Sequence, residues 1–259
     1  MSISDITACI KTFERPDACR QAINALWARY PDLKIMVGDD SKEAHHFEGV
    51  EYLRLPYDIG LSAGRNRMID ACKTLYALIM DDDMIAENVD LLAMLEVLRE
   101  TDAFMVAPEK LTPAGSRNTG STIRRKGNTF YMDMATDCGS VNGTRYVRTG
   151  FIPNFILAET EVFQIVPWTE ELKLSEHYDW CLRWKAVMDD LYEGALPFVL
   201  CYDMHFYDLG ARPGGYGKQR RSGGRTGASL WRKRSGIKKV VRWQDGVTGR
   251  WDYEKQEAV

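Results

Sequence analysis

Two sets of aspartates stand where apolar runs stop: Asp39 and Asp40 close "LKIMVGDD", and Asp81, Asp82 and Asp83 close "LYALIMDDD". Neighbouring carboxylates repel one another, and a buried one without a partner is costly. A divalent cation removes that cost. Mg2+ and Mn2+ take hard oxygen ligands, commonly one or two protein carboxylates together with substrate phosphates. In a triplet at a strand end the alternate members, Asp81 and Asp83, reach different parts of a bound nucleotide. The triplet alone fits a solvated turn or the start of a helix just as well, since aspartate favours helix N-termini. The second pair, also at a strand end, tips the reading toward ligand binding.

The elements that must position these residues alternate in type. "DITACIKTF" reads as a buried strand. "RPDACRQAINALWARYP" reads as a helix with Ala18, Ala22, Ile23, Leu26 and Trp27 on one stripe, stopped by Pro31. "LKIMVGDDS", "VEYLRLP" and "TLYALIM" are three more strands, and "GLSAGRNRMIDAC" is a glycine-containing turn into a helix. "NVDLLAMLEVLRE" predicts a helix with Leu91, Leu92, Leu95 and Leu98 inward, and "AFMVAPEKL" a strand. Such alternation predicts an α/β fold with a mostly parallel central sheet, and ligands of such sheets bind beyond the carboxyl ends of the strands. Five carboxylates then gather at one rim. Residues 112–150 change character and read as hairpins. After them "GFIPNFILAETEVFQIVPW" reads as core, "SEHYDWCLRWKAVMDD" as a helix with Ser175 as N-cap, and "PFVLCYDMHFYD" as a last strand carrying His205.

With 259 residues, 45% hydrophobic and 27% charged, the chain has the composition of a folded globular protein, which excludes extensive disorder. The six cysteines form no C-x-x-C pair and read as reduced, buried thiols rather than zinc ligands or disulfides. No signal peptide is read at the N-terminus, and no apolar run approaches membrane-spanning length, so a cytoplasmic location is expected.

The stretches "TACIKTFERPDACRQAINAL", "IMVGDDS", "LPYDIGLSAGRN", "YALIMDDD", "PNFILAETEVF" and "SEHYDWCLR", in that order, resemble inverting GT-A glycosyltransferases. The resemblance is to the family-2-like group and especially its β-1,4-N-acetylgalactosaminyltransferase (GM2/GD2 synthase type) branch, over about residues 5–208. It implies a Rossmann-like nucleotide-diphospho-sugar transferase fold and metal-dependent transfer of a sugar from a UDP-sugar to an acceptor hydroxyl. Thr12 would border the nucleotide, Asp39 would accept a hydrogen bond from the uracil ring, and Arg65 would contact base or diphosphate. Gly60 and Gly64 would let backbone approach the nucleotide, and Asp81 would face the ribose, with Asp40 and Asp82 in the same donor-facing set. Asp83 would hold Mn2+ or Mg2+, with His205 as a further metal ligand. The general base belongs to an acidic motif opening a helix. Here that motif is "SEHYDW", which leaves Glu176, His177 and Asp179 as candidates, the two acids ranked first.

The expected organisation is a catalytic domain over 1–210, its nucleotide-sugar half about 1–110 and its acceptor half 111–210, followed by a basic extension over 211–259. In that extension Lys and Arg alternate with Gly, Ser, Tyr216, Trp231 and Trp243. It suits a lid over the donor diphosphate, or a grip on nucleic acid or another anionic surface. A glycan or a modified nucleic acid is the expected acceptor. The rival classes are a glycosyltransferase acting on hydroxylated bases in DNA, and a non-catalytic GT-A-like binding module.

Overall fold

The structure, a computed structural model, describes residues 2–112, 117–118, 120–173, 176–191, 194–210, 230–244, 247–252 and 257–258. The first half runs β1 (Ile6–Thr12), α1 (Pro16–Arg29), β2 (Lys34–Asp39), β3 (Glu51–Arg54), α2 (Leu61–Ala71) and β4 (Tyr76–Asp81). These strands are parallel neighbours in the order β4-β1-β2-β3. Their period of two sorts side chains onto opposite faces. Ile6, Ala8 and Ile10 of β1 join one core with Ala22, Ile23 and Leu26 of α1. Cys9, Met36 and Ile79 join the other with Met68 and Ile69 of α2. Pro16 opens α1, where its missing N–H costs nothing. The expected stripe of α1 is buried except for Trp27, which is only partly covered and donates to the Leu33 carbonyl at 3.0 Å.

The chain continues through β5 (Met84–Asn88), α3 (Leu91–Glu100), β6 (Met105–Leu111), β7 (Arg117–Asn118), β8 (Ser121–Lys126), β9 (Thr129–Met134), β10 (Cys138–Val141) and β11 (Thr144–Thr149). It then forms β12 (Ile156–Glu159), α4 (Val162–Ile165), α5 (Glu176–Leu191), β13 (Phe198–Asp208), β14 (Lys239–Gln244), β15 (Val247–Asp252) and β16 (Glu257–Ala258). The large sheet is ordered β10-β11-β13-β6-β12-β4-β1-β2-β3. It is parallel across β4-β1-β2-β3 and again at β6–β13, but β12 runs antiparallel to both β4 and β6. Hairpins rather than a crossover helix lead into β12, and an antiparallel neighbour needs no crossover. The sheet is therefore mixed beyond β4.

Two side-chain expectations change. Leu92 is 39% exposed, while Met94 and Val97 are buried. Asp90 caps α3 through Leu92 N–H and Ala93 N–H, and the inward face then follows Leu91, Met94, Leu95 and Leu98, about 100° away from Leu92. Cys138 is exposed on the short edge strand β10; the other five thiols are buried, and all six are unpaired.

Of the basic C-terminal stretch, a helical turn over 230–235 seats Trp231 in the core, its ring 5.6 Å from Tyr178 and 6.5 Å from Phe130. β14 pairs in parallel with β9, so the stretch completes a second sheet ordered β16-β15-β14-β9-β8. Tyr216 and the proposed cap Ser175 lie outside the described residues. Among the described residues no helix is long and apolar enough to cross a membrane.

Candidate functional site

Because β1 lies between β2 and β4, their C-terminal ends finish level. Thr12 sits beside Asp39, and Lys11 beside Asp81. The five aspartates thus reach one rim. Each finds different partners there.

Asp39 is fully buried. Its carboxylate accepts from Ser41 N–H at 2.9 Å and Tyr52 O–H at 3.0 Å, and His45 Nδ1 lies 2.9 Å away. Burial pushes its carboxyl upward, but the bonds from Ser41, His45 and Tyr52 outweigh burial and hold it below the ordinary range. Asp40, also buried, is ion-paired with Lys11 and accepts from Gly60 N–H at 3.0 Å. Gly60 is required by its own backbone, φ +96°, and by Lys173, whose Cα would stand 3.0 Å from an added Cβ. A Cβ on Gly64 would collide with the Lys11 stem. Both glycines therefore have packing reasons of their own.

Asp81 ends β4, and Asp82 and Asp83 form the turn into β5. Asp81 accepts from Arg65 Nη2 at 2.7 Å and lies 3.4 Å from Asn154 Nδ2. Arg65 is wholly buried and spans to Glu176, whose Oε1 is 2.6 Å from Nη1. A cation near the start of a helix opposes the helix dipole, and these two carboxylates hold it there. The guanidinium also lies over the Trp168 ring at 5.6 Å, and its Nε has no partner among the described residues. The Asp81–Arg65–Glu176 chain ties α2, β4 and α5 together.

Asp82 is fully buried and accepts from Thr12 Oγ1 at 2.7 Å and Arg15 Nε at 3.2 Å, with Arg15 Nη2 on its other oxygen. Burial pushes its carboxyl up to about 7 against the pull of Arg15. Asp83 keeps 18% of its side chain exposed and meets Arg15 Nη1 at 2.8 Å. Burial raises its pKa, Arg15 opposes the rise, and the charges of Asp81 and Asp208 add to it. Crowded hard oxygens, with the Asp81 and Asp83 side chains 16% and 18% exposed, fit a hard divalent cation. Among the described residues no three His, Cys, Asp or Glu side chains form a metal-holding group, so an ion here would depend on oxygens from its ligand.

His205 is not brought to that corner. It pairs with Asn88 across β13–β5, whereas Asp83 receives the N–H of Leu209. Four residues of strand separate the two positions, on the order of 10 Å. Asp208 is the residue whose charge reaches Asp83, and it is ion-paired with Lys110.

Of the three base candidates, Glu176 is committed to Arg65. Asp179 accepts from Thr169 Oγ1 at 2.6 Å and Arg183 Nε at 2.9 Å. His177 directs Nε2 at the Ile152 carbonyl, its ring 4.9 Å from Phe151, and Nδ1 is buried without a partner among the described residues. Burial lowers its pKa to about 4. The unfolded chain therefore takes up a proton near 6.5 that the folded chain refuses until about 4. The stability due to the neutral ring is complete above the unfolded value and lost as pH falls through that window. Between pH 7.5 and 5 the wild-type chain is expected to lose more stability than His177→Gln, by about 2 kcal/mol. Urea unfolding at both pH values measures it, and equal losses would contradict a buried neutral imidazole.

Arg15, Lys11 and Asn154 were not anticipated from the sequence. Charge balance was the available signal: Lys11 and Arg15 bracket the end of β1, at the rim where five carboxylates assemble.

Parallel strands that deliver Thr12, Asp39 and an aspartate triplet to one rim belong to an α/β fold of GT-A type. Solved structures share it. A crystal structure of GalNAc-T7 with UDP, GalNAc and Mn2+ superposes with TM-score 0.61 at 11% identity, over 81% of this chain and 44% of that one. S. aureus TarS 1-349 in complex with UDP gives 0.55 at 13% identity, over 79% and 60%. Residues 7–150 match the family described as Glycosyl transferase family 2, and the chain belongs to that family. It is 28% identical over 183 residues to Beta-1,4 N-acetylgalactosaminyltransferase 2 of Mus musculus, covering 66% of this chain and 34% of that protein. The chain thus spans about a third of that relative's length.

Proposed function

We propose that this chain transfers a sugar from a UDP-sugar to an acceptor hydroxyl with inversion at the transferred carbon. Residues 1–110 hold the donor, and 111–210 face the acceptor. The observation that carries the reading is the partly open Asp83 in the turn after β4, at the rim where Thr12 lies beside Asp39 and Lys11 beside Asp81. Family membership and the UDP-containing crystals of GT-A neighbours support it. Asp83 would be the protein ligand for Mn2+ or Mg2+, and such an ion would supply charge that stabilises the departing diphosphate. Thr12 and Asp81 border the nucleoside, and Arg65 fixes Asp81.

Inversion requires the acceptor oxygen to attack from the face opposite the leaving group and to shed its proton to a base. That base comes from the opening turn of α5, where the acids Glu176 and Asp179 rank ahead of His177, whose buried ring resists protonation. The six unpaired thiols support a reducing compartment, the cytoplasm.

A thermal-shift titration of nucleoside diphosphates with and without Mn2+ tests the reading, since a ligand of the native state raises Tm. UDP with Mn2+ is expected to stabilise more than either alone. A chain indifferent to every nucleotide would reduce it to a binding module of another kind.

A second reading concerns the acceptor. Arg125 of β8 stands beside the basic run 232–239: Lys238 N–H donates to the Asn128 carbonyl at 2.7 Å, and a Cβ on Gly236 would stand 3.6 Å from Arg125. Basic residues from two segments far apart in sequence meet there, which favours a polyanionic acceptor such as DNA bearing hydroxylated bases. Salt-insensitive DNA retention, or none, would remove this reading.

A further inference from the structure

Arg15 has no part in the reaction as described, yet its guanidinium sits in the corner assigned to the cation. We propose that Arg15 is a diphosphate-binding residue that holds the place of the divalent ion: it neutralises Asp83 while the site is empty and moves that arm onto a donor phosphate when the ion arrives. The inference rests on the reading of Asp83 given above.

Three features argue for an arm that can be handed over. The grip is unequal, because Nε and Nη2 hold Asp82 while Nη1 alone reaches Asp83. Asp82 is a fixed anchor, buried and tied to Thr12, whereas Asp83 and Arg15 each keep 18% of the side chain exposed. A ligand can therefore reach Nη1 without unseating the anchor. The guanidinium also stands at the start of the fourteen-residue α1, whose N-terminal N–H groups add positive potential on the same side.

The exchange conserves hydrogen bonds. Nη1 leaves a carboxylate oxygen for a phosphate oxygen, and planar guanidinium suits either. Asp83 is left with an oxygen facing the cation, so ion and donor bind as a pair. In the absence of donor the ion competes with Arg15 and binds weakly.

The test is Mn2+ binding followed by electron paramagnetic resonance of the unbound ion, with and without UDP, in wild type, Arg15→Gln and Arg15→Lys. For Arg15→Gln, Mn2+ alone is expected to bind about 3- to 10-fold more tightly, because a competing charge is gone. Mn2+ with UDP is expected to bind at least about 10-fold more weakly, because a phosphate contact is gone. Arg15→Lys keeps the charge without the fork; it should stay near wild type for Mn2+ alone and weaken with UDP, which guards against an unstable Gln variant. Opposite signs in the two arms are the signature, since a merely structural clamp weakens both. Loss in both arms, or no change in either, overturns the inference while the reading of Asp83 stands. Wild type that binds neither Mn2+ nor UDP overturns that reading and this inference together.

Discussion

Arg65→Met is expected to lower the stability of the chain by about 3–5 kcal/mol, the cost of breaking a buried ion pair from one side. In a chain of this size that is a fall in Tm on the order of 10 °C. Arg65 is fully buried with one arm on Asp81 and the other on Glu176, whose side chain is 4% exposed. Truncation leaves two carboxylates facing a space without a cation. Arg65→Lys is expected to recover only part of the loss, because a single ammonium cannot span two acceptors on opposite sides as the planar fork does. The double variant Arg65→Met with Glu176→Gln should be more stable than Arg65→Met alone, since neutralising one orphaned carboxylate removes part of the penalty. Urea unfolding of the four proteins measures this. An Arg65→Met protein as stable as wild type, or a double variant whose losses simply add, would show that the three groups do not act as one buried unit.

The sequence carried the strands and the rim because both depend on short-range pattern. Apolar runs of "ACI", "IMV" and "ALIM" demand burial on both faces, which a covered parallel sheet provides. The aspartates after them then have to lie at the carboxyl edge. What each aspartate does there depends on groups from distant segments, and those were not legible. Asp39 and Asp40 look alike in sequence, yet one accepts from Ser41 and Tyr52 and the other pairs with Lys11. The buried role of Arg65 needs Glu176, 111 residues later. His205 illustrates the converse: its spacing suggested an ion ligand, but the register of β13 against β5 sets it opposite Asn88. Antiparallel β12 and the second sheet escaped notice because hairpin-rich stretches such as 112–150 carry turn signals without stating which strand they join.

Asp83→Asn is expected to separate stability from binding. The pKa of Asp83 is raised, first by burial and then, against the opposing pull of Arg15, by the charges of Asp81 and Asp208. A carboxylate whose folded pKa lies above its unfolded value is a burden on the fold once ionised, and the burden grows as pH rises through that interval. Replacing it with a neutral isostere should leave the ligand-free chain at least as stable as wild type at neutral pH, the gain shrinking under acid conditions where Asp83 is already protonated. Binding should move the other way. Even groups that only support a ligand cost 10- to 100-fold in metal affinity when removed, so loss of the one protein oxygen proposed to hold the ion should weaken Mn2+-dependent UDP binding at least about 100-fold. UDP binding without metal should change far less, because Thr12 and Asp81 are untouched. The two effects have independent readouts, urea unfolding of the ligand-free protein and calorimetric titration with UDP and Mn2+. A destabilised Asp83→Asn chain would mean that the ion pair with Arg15 outweighs the repulsion at this corner. An unaltered Mn2+ dependence would place the ion elsewhere and leave the aspartate triplet with a purely structural task.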